Sequence, residues 1–191
     1  DQYTVFIYYA SNVAYEIYND INLATKLFYL NKVLHQFHCM YSTKLPDIFL
    51  LIHGTGIVLG KAKYSNYLVL SQNCNIGAND KLEYPEIAEF IILYPNSSII
   101  GRSEINKNCC ISNGVFINNQ NISPNKLIIG RSPNLTIKED KKTNNQISLE
   151  NFKQLFEEEK PDKNQAGGRR KNTRKKNKRR HKKRRSTRRY R

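Results

Sequence analysis

Two periodicities divide the chain. Between residues 22 and 37, Leu23, Leu27, Leu30, Val33, Leu34 and Phe37 recur at three- and four-residue spacing. That spacing predicts a helix with one apolar stripe. Asp20 or Asn22 is its N-cap candidate, and Pro46 ends helical structure by Leu45 at the latest. Residues 3–19 mix aromatic and polar side chains and read as a preceding helix. Two short helices bury little alone, so they are expected to pack on the next element or on another subunit.

From Ile87 the spacing changes to six. Ile87, Leu93, Ile99, Ile105, Ile111 and Ile117 are aliphatic without a miss, and Ile91, Ser97, Ser103, Cys109 and Val115, mostly small, follow the first five by four residues. Six is neither a helical nor a simple strand period. It is the hexapeptide signature of a parallel β-helix, in which each hexad is a short strand plus a turn. Three hexads make one triangular coil, and coils must stack to bury their aliphatic residues. A shorter set in another phase, Val58, Tyr64, Leu70 and Ile76, precedes this run. Gly77 to Glu86 carries no such signal and reads as a loop thrown out from the stack, a place where function tends to sit. After Ile117 the repeat is expected to fade through Asn118-Asn119-Gln120-Asn121, before a closing segment from Leu127 to Ile137.

The expected organisation is a helical region over residues 1–45, a β-helix over 46–137, a polar extension over 138–160 with helical character around Leu149 to Glu159, and a tail over 161–191. Charge sharpens the last boundary. The tail holds 17 Lys and Arg against one acid, Asp162, which accounts for the whole net charge of +16. Residues 1–160 hold 15 basic and 15 acidic side chains, so the basicity says nothing about the folded part. The tail lacks apolar residues to bury and is expected to be disordered. Its run Arg179-Arg180-His181-Lys182-Lys183-Arg184-Arg185 attracts polyanions by counterion release. Tyr190 is its only aromatic residue, so base stacking is minimal and sequence-specific reading is not expected. Residues 169–191 are therefore candidates for non-specific nucleic-acid binding, nuclear localisation or attachment to an acidic surface, with a purely solubilising tail as the alternative. Its Gly-Gly plus Arg/Lys style resembles tails on proteins of large DNA viruses.

Cys39, Cys74, Cys109 and Cys110 show no CxxC spacing and read as small apolar fillers in a reducing compartment. No apolar run reaches membrane-spanning length and no signal peptide is evident. An intracellular, cytoplasmic location is expected, with the tail able to direct the chain to a nucleus or a viral particle. The first residue is Asp rather than Met, which suggests a truncated start.

The stretch that draws attention chemically is His53-Gly54-Thr55-Gly56-Ile57-Val58-Leu59-Gly60. An imidazole is a ready general base near neutral pH. A lone histidine is more often structural, but this motif on this repeat favours catalysis. The stretch resembles the His-Ala-Thr-Gly-Ile-Val-Val-Gly segment of serine acetyltransferases, which are left-handed β-helix enzymes using acetyl-CoA. Ile99-Ile100-Gly101-Arg102-Ser103-Glu104 is similar to their Ile-Leu-Gly-Asn-Ile-Glu coil, Tyr84-Pro85-Glu86-Ile87 to their His-Pro-Lys-Ile, and Gly130-Arg131-Ser132-Pro133 to their closing turn. The match covers residues 35–137. It implies a left-handed parallel β-helix; with the helical and tail readings above, the expected chain is mainly β, a left-handed parallel β-helix with a short α-helical N-terminal region and a disordered basic C-terminal tail.

The resemblance implies that His53 deprotonates a hydroxyl or amine that attacks the acetyl thioester. The family's orienting acid, fifteen positions earlier, falls on His38. A neutral imidazole there can fix a tautomer but cannot stabilise an imidazolium by charge. Ile52 replaces the acid next to the base. The family's acceptor-holding Arg-His pair becomes Glu83-Tyr84, so a sugar hydroxyl or amino sugar is as good an expectation as an amino acid. Pro95 falls where the family uses a backbone N–H on the pantetheine arm, and proline has none. The position one coil later is Asn113. Tyr94, Pro95, Ser97, Asn113, Gly114 and Arg131 are the candidate acetyl-CoA groove, and no metal is expected. The family's homotrimers place each site between neighbouring prisms, so His53 of one subunit would face the Gly77–Glu86 loop or groove of the next. The second reading is a catalytically decayed trimeric scaffold that binds nucleic acid through its tail.

Overall fold

The six-residue repeat folds as its spacing predicts. The computed structural model describes residues 1–139, so the expectations for residues 140–160 and for the tail lie outside the described residues. Parallel strands of two to six residues form three faces of a prism. One face stacks His38–Cys39, Val58–Leu59, Asn75–Gly77, Ser98–Ile100 and Phe116–Asn118. The second stacks Phe49–Ile52, Leu68–Ser71, Ile91–Leu93, Cys109–Ile111 and the start of Lys126–Arg131. The third stacks Lys63–Tyr64, Glu86–Ile87, Glu104–Ile105 and Asn121–Ile122.

Register explains the period. Ile87 pairs with Ile105, Leu93 with Ile111, and Ile99 with Ile117, so each aliphatic residue sits on its counterpart one coil on. All six are at most 1% exposed. The set four residues later is just as buried: Ile91, Ser97, Ser103, Cys109 and Val115 point inward at the corners. The two serines are satisfied there, Ser97 Oγ donating to the Tyr94 carbonyl and Ser103 Oγ to that of Ile100, each at 2.7 Å. A buried hydroxyl without a partner would be costly.

Two details of the pattern differ from expectation. The repeat does not fade after Ile117: Ile122 and Ile128 carry it on, both fully buried and paired with Ile105 and Ile111. The Asn118–Asn121 corner is one residue short, which hides the continuation from a strict spacing of six. At the other end, Val58 faces outward and its neighbour Leu59 fills the stack, over Ile76. The closing segment is an antiparallel hairpin of Lys126–Arg131 and Asn134–Glu139.

The helices form where expected, α1 over Gln2–Glu16 and α2 over Ile21–His35. Asp20 is the N-cap, its carboxylate accepting from Leu23 N at 2.9 Å. Yet α2 does not bury its leucine stripe. It buries Ala24, Phe28 and Asn31, while Leu23, Leu30, Val33 and Leu34 are exposed. Close packing on α1 favours the small and polar side. Ser11 Oγ donates to the Ala24 carbonyl at 2.7 Å, and Asn31 Nδ2 to that of Thr4 at 3.0 Å. Tyr8 fastens α1 to the prism. Its hydroxyl donates to Thr43 O at 2.8 Å and accepts from Leu45 N at 2.9 Å, and its ring meets Phe37 and Phe49 edge-on. Burial pushes that phenol well above its usual range. All four cysteines are buried, and burial pushes the Cys39 and Cys74 thiols up. Among the described residues no helix is long and apolar enough to cross a membrane.

Adjacent residues at one coil test the inward register. Leu59→Ala should destabilise by about 2–5 kcal/mol, as cavity-forming core substitutions do. Val58→Ala should stay within about 0.5 kcal/mol. Urea unfolding of both variants measures the contrast.

Candidate acyl-transfer site

The site begins at one prism corner. His53 follows the second-face strand Phe49–Ile52 and turns the chain toward the first face. Its φ is +53°, a left-handed conformation in which His is more frequent than most residues. Two interactions hold the turn. Thr55 N donates to the His53 carbonyl at 2.7 Å. The Asp1 carboxylate accepts from His53 N at 3.2 Å and from Gly54 N at 2.7 Å. This carboxylate arrives from the start of α1, 52 positions away in sequence. Gly54 permits the approach, since a Cβ there would stand 2.9 Å from Asp1 Oδ1. Gly56 is needed for a different reason. Its φ is +67°, and a Cβ would come within 2.1 Å of Asn73 Oδ1 on the next coil.

The same corner recurs along the prism edge. Asn73 N donates to Thr55 O at 2.8 Å, Asn96 N to Gln72 O at 3.1 Å and Gly114 N to Pro95 O at 3.0 Å. Asn73 Nδ2 also donates to Asn96 Oδ1 at 3.1 Å. This ladder places Pro95 two coils, and Asn113 with Gly114 three coils, from His53. Neighbouring strands lie about 4.8 Å apart, so the span is about 10 Å to Pro95 and about 14 Å to Asn113. Tyr94 and Asn113 are exposed on that edge. Arg131, paired with Phe116 two residues past Gly114, sets its guanidinium 5.1 Å from the Phe116 ring centroid. The structure therefore lines up His53 with Tyr94, Pro95, Asn113 and Gly114, with Arg131 nearby. Ser97 is the exception among the groove candidates. It is fully buried, so its side chain belongs to the inside of the corner.

His38 takes a different place. Its backbone pairs with Val58 and its ring lies against Phe28, with centroids 5.2 Å apart. Burial lowers its pKa, with Lys32 adding to the effect, which favours the neutral ring. The imidazole that shares a cavity with His53 is His35, at the end of α2. Burial lowers the His35 pKa as well. This residue was not anticipated. Asn31 and His35, one helical turn apart on α2, were the available signal, along with a carboxylate at the start of α1.

Glu83 and Tyr84 sit on the opposite border of the first face, where the chain leaves Asn75–Gly77. Asn79 organises their loop. Its Oδ1 accepts from Lys81 N at 3.0 Å and Glu83 N at 3.1 Å, and its Nδ2 donates to Glu83 Oε2 at 2.7 Å and Asn119 Oδ1 at 3.2 Å. The Glu83 carboxylate is thus engaged within the loop, and Tyr84 is 39% exposed. Within one chain, the width of a face separates this loop from His53. A larger cavity of about 540 Å³ lies elsewhere, between the Lys44–Asp47 segment and the third face, and none of the expected site residues lines it.

No protein-family model matches the sequence, and no curated protein does. Solved structures match the fold. A serine acetyltransferase from Vibrio cholerae superposes with a TM-score of 0.63 at 22% identity, over 73% of this chain and 56% of that one. Soybean serine acetyltransferase complexed with serine gives 0.63 at 16% identity, over 70% and 56%. A serine acetyltransferase in complex with CoA gives 0.61 at 19% identity, over 71% and 55%. The chain spans about half the length of these structures. Motif, stacked hexads and superpositions agree on one architecture: the chain has the left-handed parallel β-helix fold of the serine acetyltransferase-like hexapeptide-repeat proteins.

Proposed function

We propose that the chain is an acetyl-CoA-dependent acetyltransferase, with His53 as general base and a small hydroxyl or amino compound, such as an amino acid or a sugar, as acceptor. The observation that carries this reading is the prism edge. It lines up His53 with the Tyr94-Pro95 and Asn113-Gly114 corners, in a fold shared with serine acetyltransferases crystallised with CoA, serine and cysteine. In the proposed step the acceptor oxygen or nitrogen attacks the thioester carbonyl as the His53 imidazole takes its proton. The new C–O or C–N bond forms, the C–S bond breaks, and the thiolate of CoA receives the proton from the imidazolium. The Tyr94–Gly114 corners and Arg131 are the groove for acetyl-CoA.

The active form proposed is a homotrimer, in which the loop bearing Glu83 and Tyr84 closes on the His53 corner of a neighbour. The helices support association. Phe6 is 64% and Val33 78% exposed, and α2 turns its leucine stripe outward. Exposed apolar surface of this kind marks interaction sites. The second reading, a decayed scaffold, is favoured by one observation: the carboxylate at this corner holds backbone amides of His53 and Gly54. Residues 169–191 are proposed, from their charge, to bind nucleic acid or another polyanion non-specifically.

Acceptor-dependent CoA release, over a panel of amino acids and sugars, tests the catalytic reading. His53→Ala should cost about 10²–10⁴-fold in rate, the range for a lost general base. Acetyl-CoA binding is measured at raised salt, because the tail attracts its phosphates and salt screens that attraction. Absence of both binding and turnover over the panel would leave the scaffold. Removing residues 161–191 should abolish salt-dependent DNA binding and leave a mass of three chains in sedimentation. Retained DNA binding would refute the role given to the tail.

A further inference from the structure

The His53 edge continues one coil beyond Gly114. Gly130 turns the chain there at a φ of +97°, and Arg131 is the first residue past it. Arg131 pairs with Phe116 on the coil before. Ile117 points into the prism, so Phe116 and its partner stand on the outward row of the first face that borders the edge. The guanidinium carbon lies over the Phe116 ring, 5.1 Å from its centroid. An aromatic face attracts a guanidinium and limits its rotation, and it leaves the charge unneutralised. Among the described residues the ion pairs are Lys63–Glu86 and Lys126–Glu139, and no carboxylate is paired with Arg131. The edge therefore ends in a positioned cation, with a planar fork of N–H donors to offer an anion.

Its distance from His53 decides which anion. Four coil steps separate the two corners, about 19 Å at about 4.8 Å per step. An extended chain advances about 1.2 Å per bond, so the about thirteen bonds from the sulfur of CoA to the first phosphorus reach about 15 Å. A thioester placed at His53 thus brings the phosphate that ends the pantetheine arm level with Gly114, about 14 Å along the edge. There the Arg131 side chain reaches back over Phe116. The 3′-phosphate of the adenosine lies beyond a second phosphate and a ribose, past Arg131.

We propose that Arg131 binds the phosphate at the end of the pantetheine arm, and that Phe116 is a positioning residue that holds the guanidinium there. The edge from His53 to Arg131 is then a ruler for a phosphopantetheinyl thioester, and this pair does not read the adenosine 3′-phosphate. This rests on the acetyl-CoA reading above. It assigns one contact within that groove and a residue, Phe116, that acts through Arg131.

CoA and dephospho-CoA form the decisive pair, since they differ only by the 3′-phosphate. Calorimetry measures the binding of both to the full chain at raised salt, where the tail contributes least. Arg131→Gln should weaken both ligands about tenfold, the scale of a lost charge-assisted hydrogen-bonded pair. Phe116→Leu should weaken both about threefold, and Phe116→Tyr, which keeps the ring, should bind both as the wild type does. In turnover, Arg131→Gln and Phe116→Leu should raise KM for acetyl-CoA by the same factors with kcat within about twofold. An unchanged affinity in Arg131→Gln, or a loss for CoA alone, would overturn the phosphate contact. Equal losses in Phe116→Leu and Phe116→Tyr would overturn the role of the ring. If the affinity losses appear but no acceptor is acetylated, the phosphate contact stands and the acetyltransferase reading fails. If acceptors are acetylated with no dependence on Arg131, the reverse holds. Absence of binding by the wild type would sink both.

Discussion

The structure depends on one constraint: each inward aliphatic side chain must find its counterpart one coil away. A single triangular coil exposes its interior, and only stacking removes that interior from water. Each fully buried Ile or Leu contributes roughly 1.5–3 kcal/mol relative to exposure. The stacks Leu59–Ile76–Ile99–Ile117, Leu51–Leu70–Leu93–Ile111–Ile128 and Ile87–Ile105–Ile122 supply that burial along the prism. Because register is fixed this way, every corner is also fixed. His53, Pro95 and Gly114 share an edge because the residues inside them are stacked.

The repeat was legible because a spacing of six has no competing explanation. What escaped it were the departures in length. The Asn118–Asn121 corner lacks one residue, so Ile122 and Ile128 fell out of phase although they fill the same stacks. The same one-residue ambiguity put Val58 where Leu59 belongs. The α2 stripe was misleading for a different physical reason. Apolar periodicity reports which side of a helix avoids water, and it does not say what covers that side. Here α2 meets α1 through Ala24 and Asn31, Phe28 rests against His38 and Tyr41, and the leucines remain open.

At the site, local motif and long-range contact separate cleanly. The His53–Gly60 stretch could be read directly, and so could the loop around Glu83. Asp1 and His35 could not, because they reach the corner through the packing of α1 and α2 across the end of the prism. Counting back along the chain led instead to His38, whose ring rests on Phe28. A carboxylate does reach the His53 corner, where it secures the backbone at His53 and Gly54. The carboxylate at this corner therefore comes from Asp1, and not from the position fifteen residues before His53 that the sequence resemblance implies.

Hydrogen exchange of the full chain, with and without acetyl-CoA, addresses the central claim most directly, because it reports where the ligand sits. The edge described above predicts slowed exchange confined to peptides covering residues 94–97 and 112–116, with a smaller effect around His53. Protection limited to residues 169–191, where charge alone would capture CoA phosphates, would contradict an acyl-CoA site on the prism.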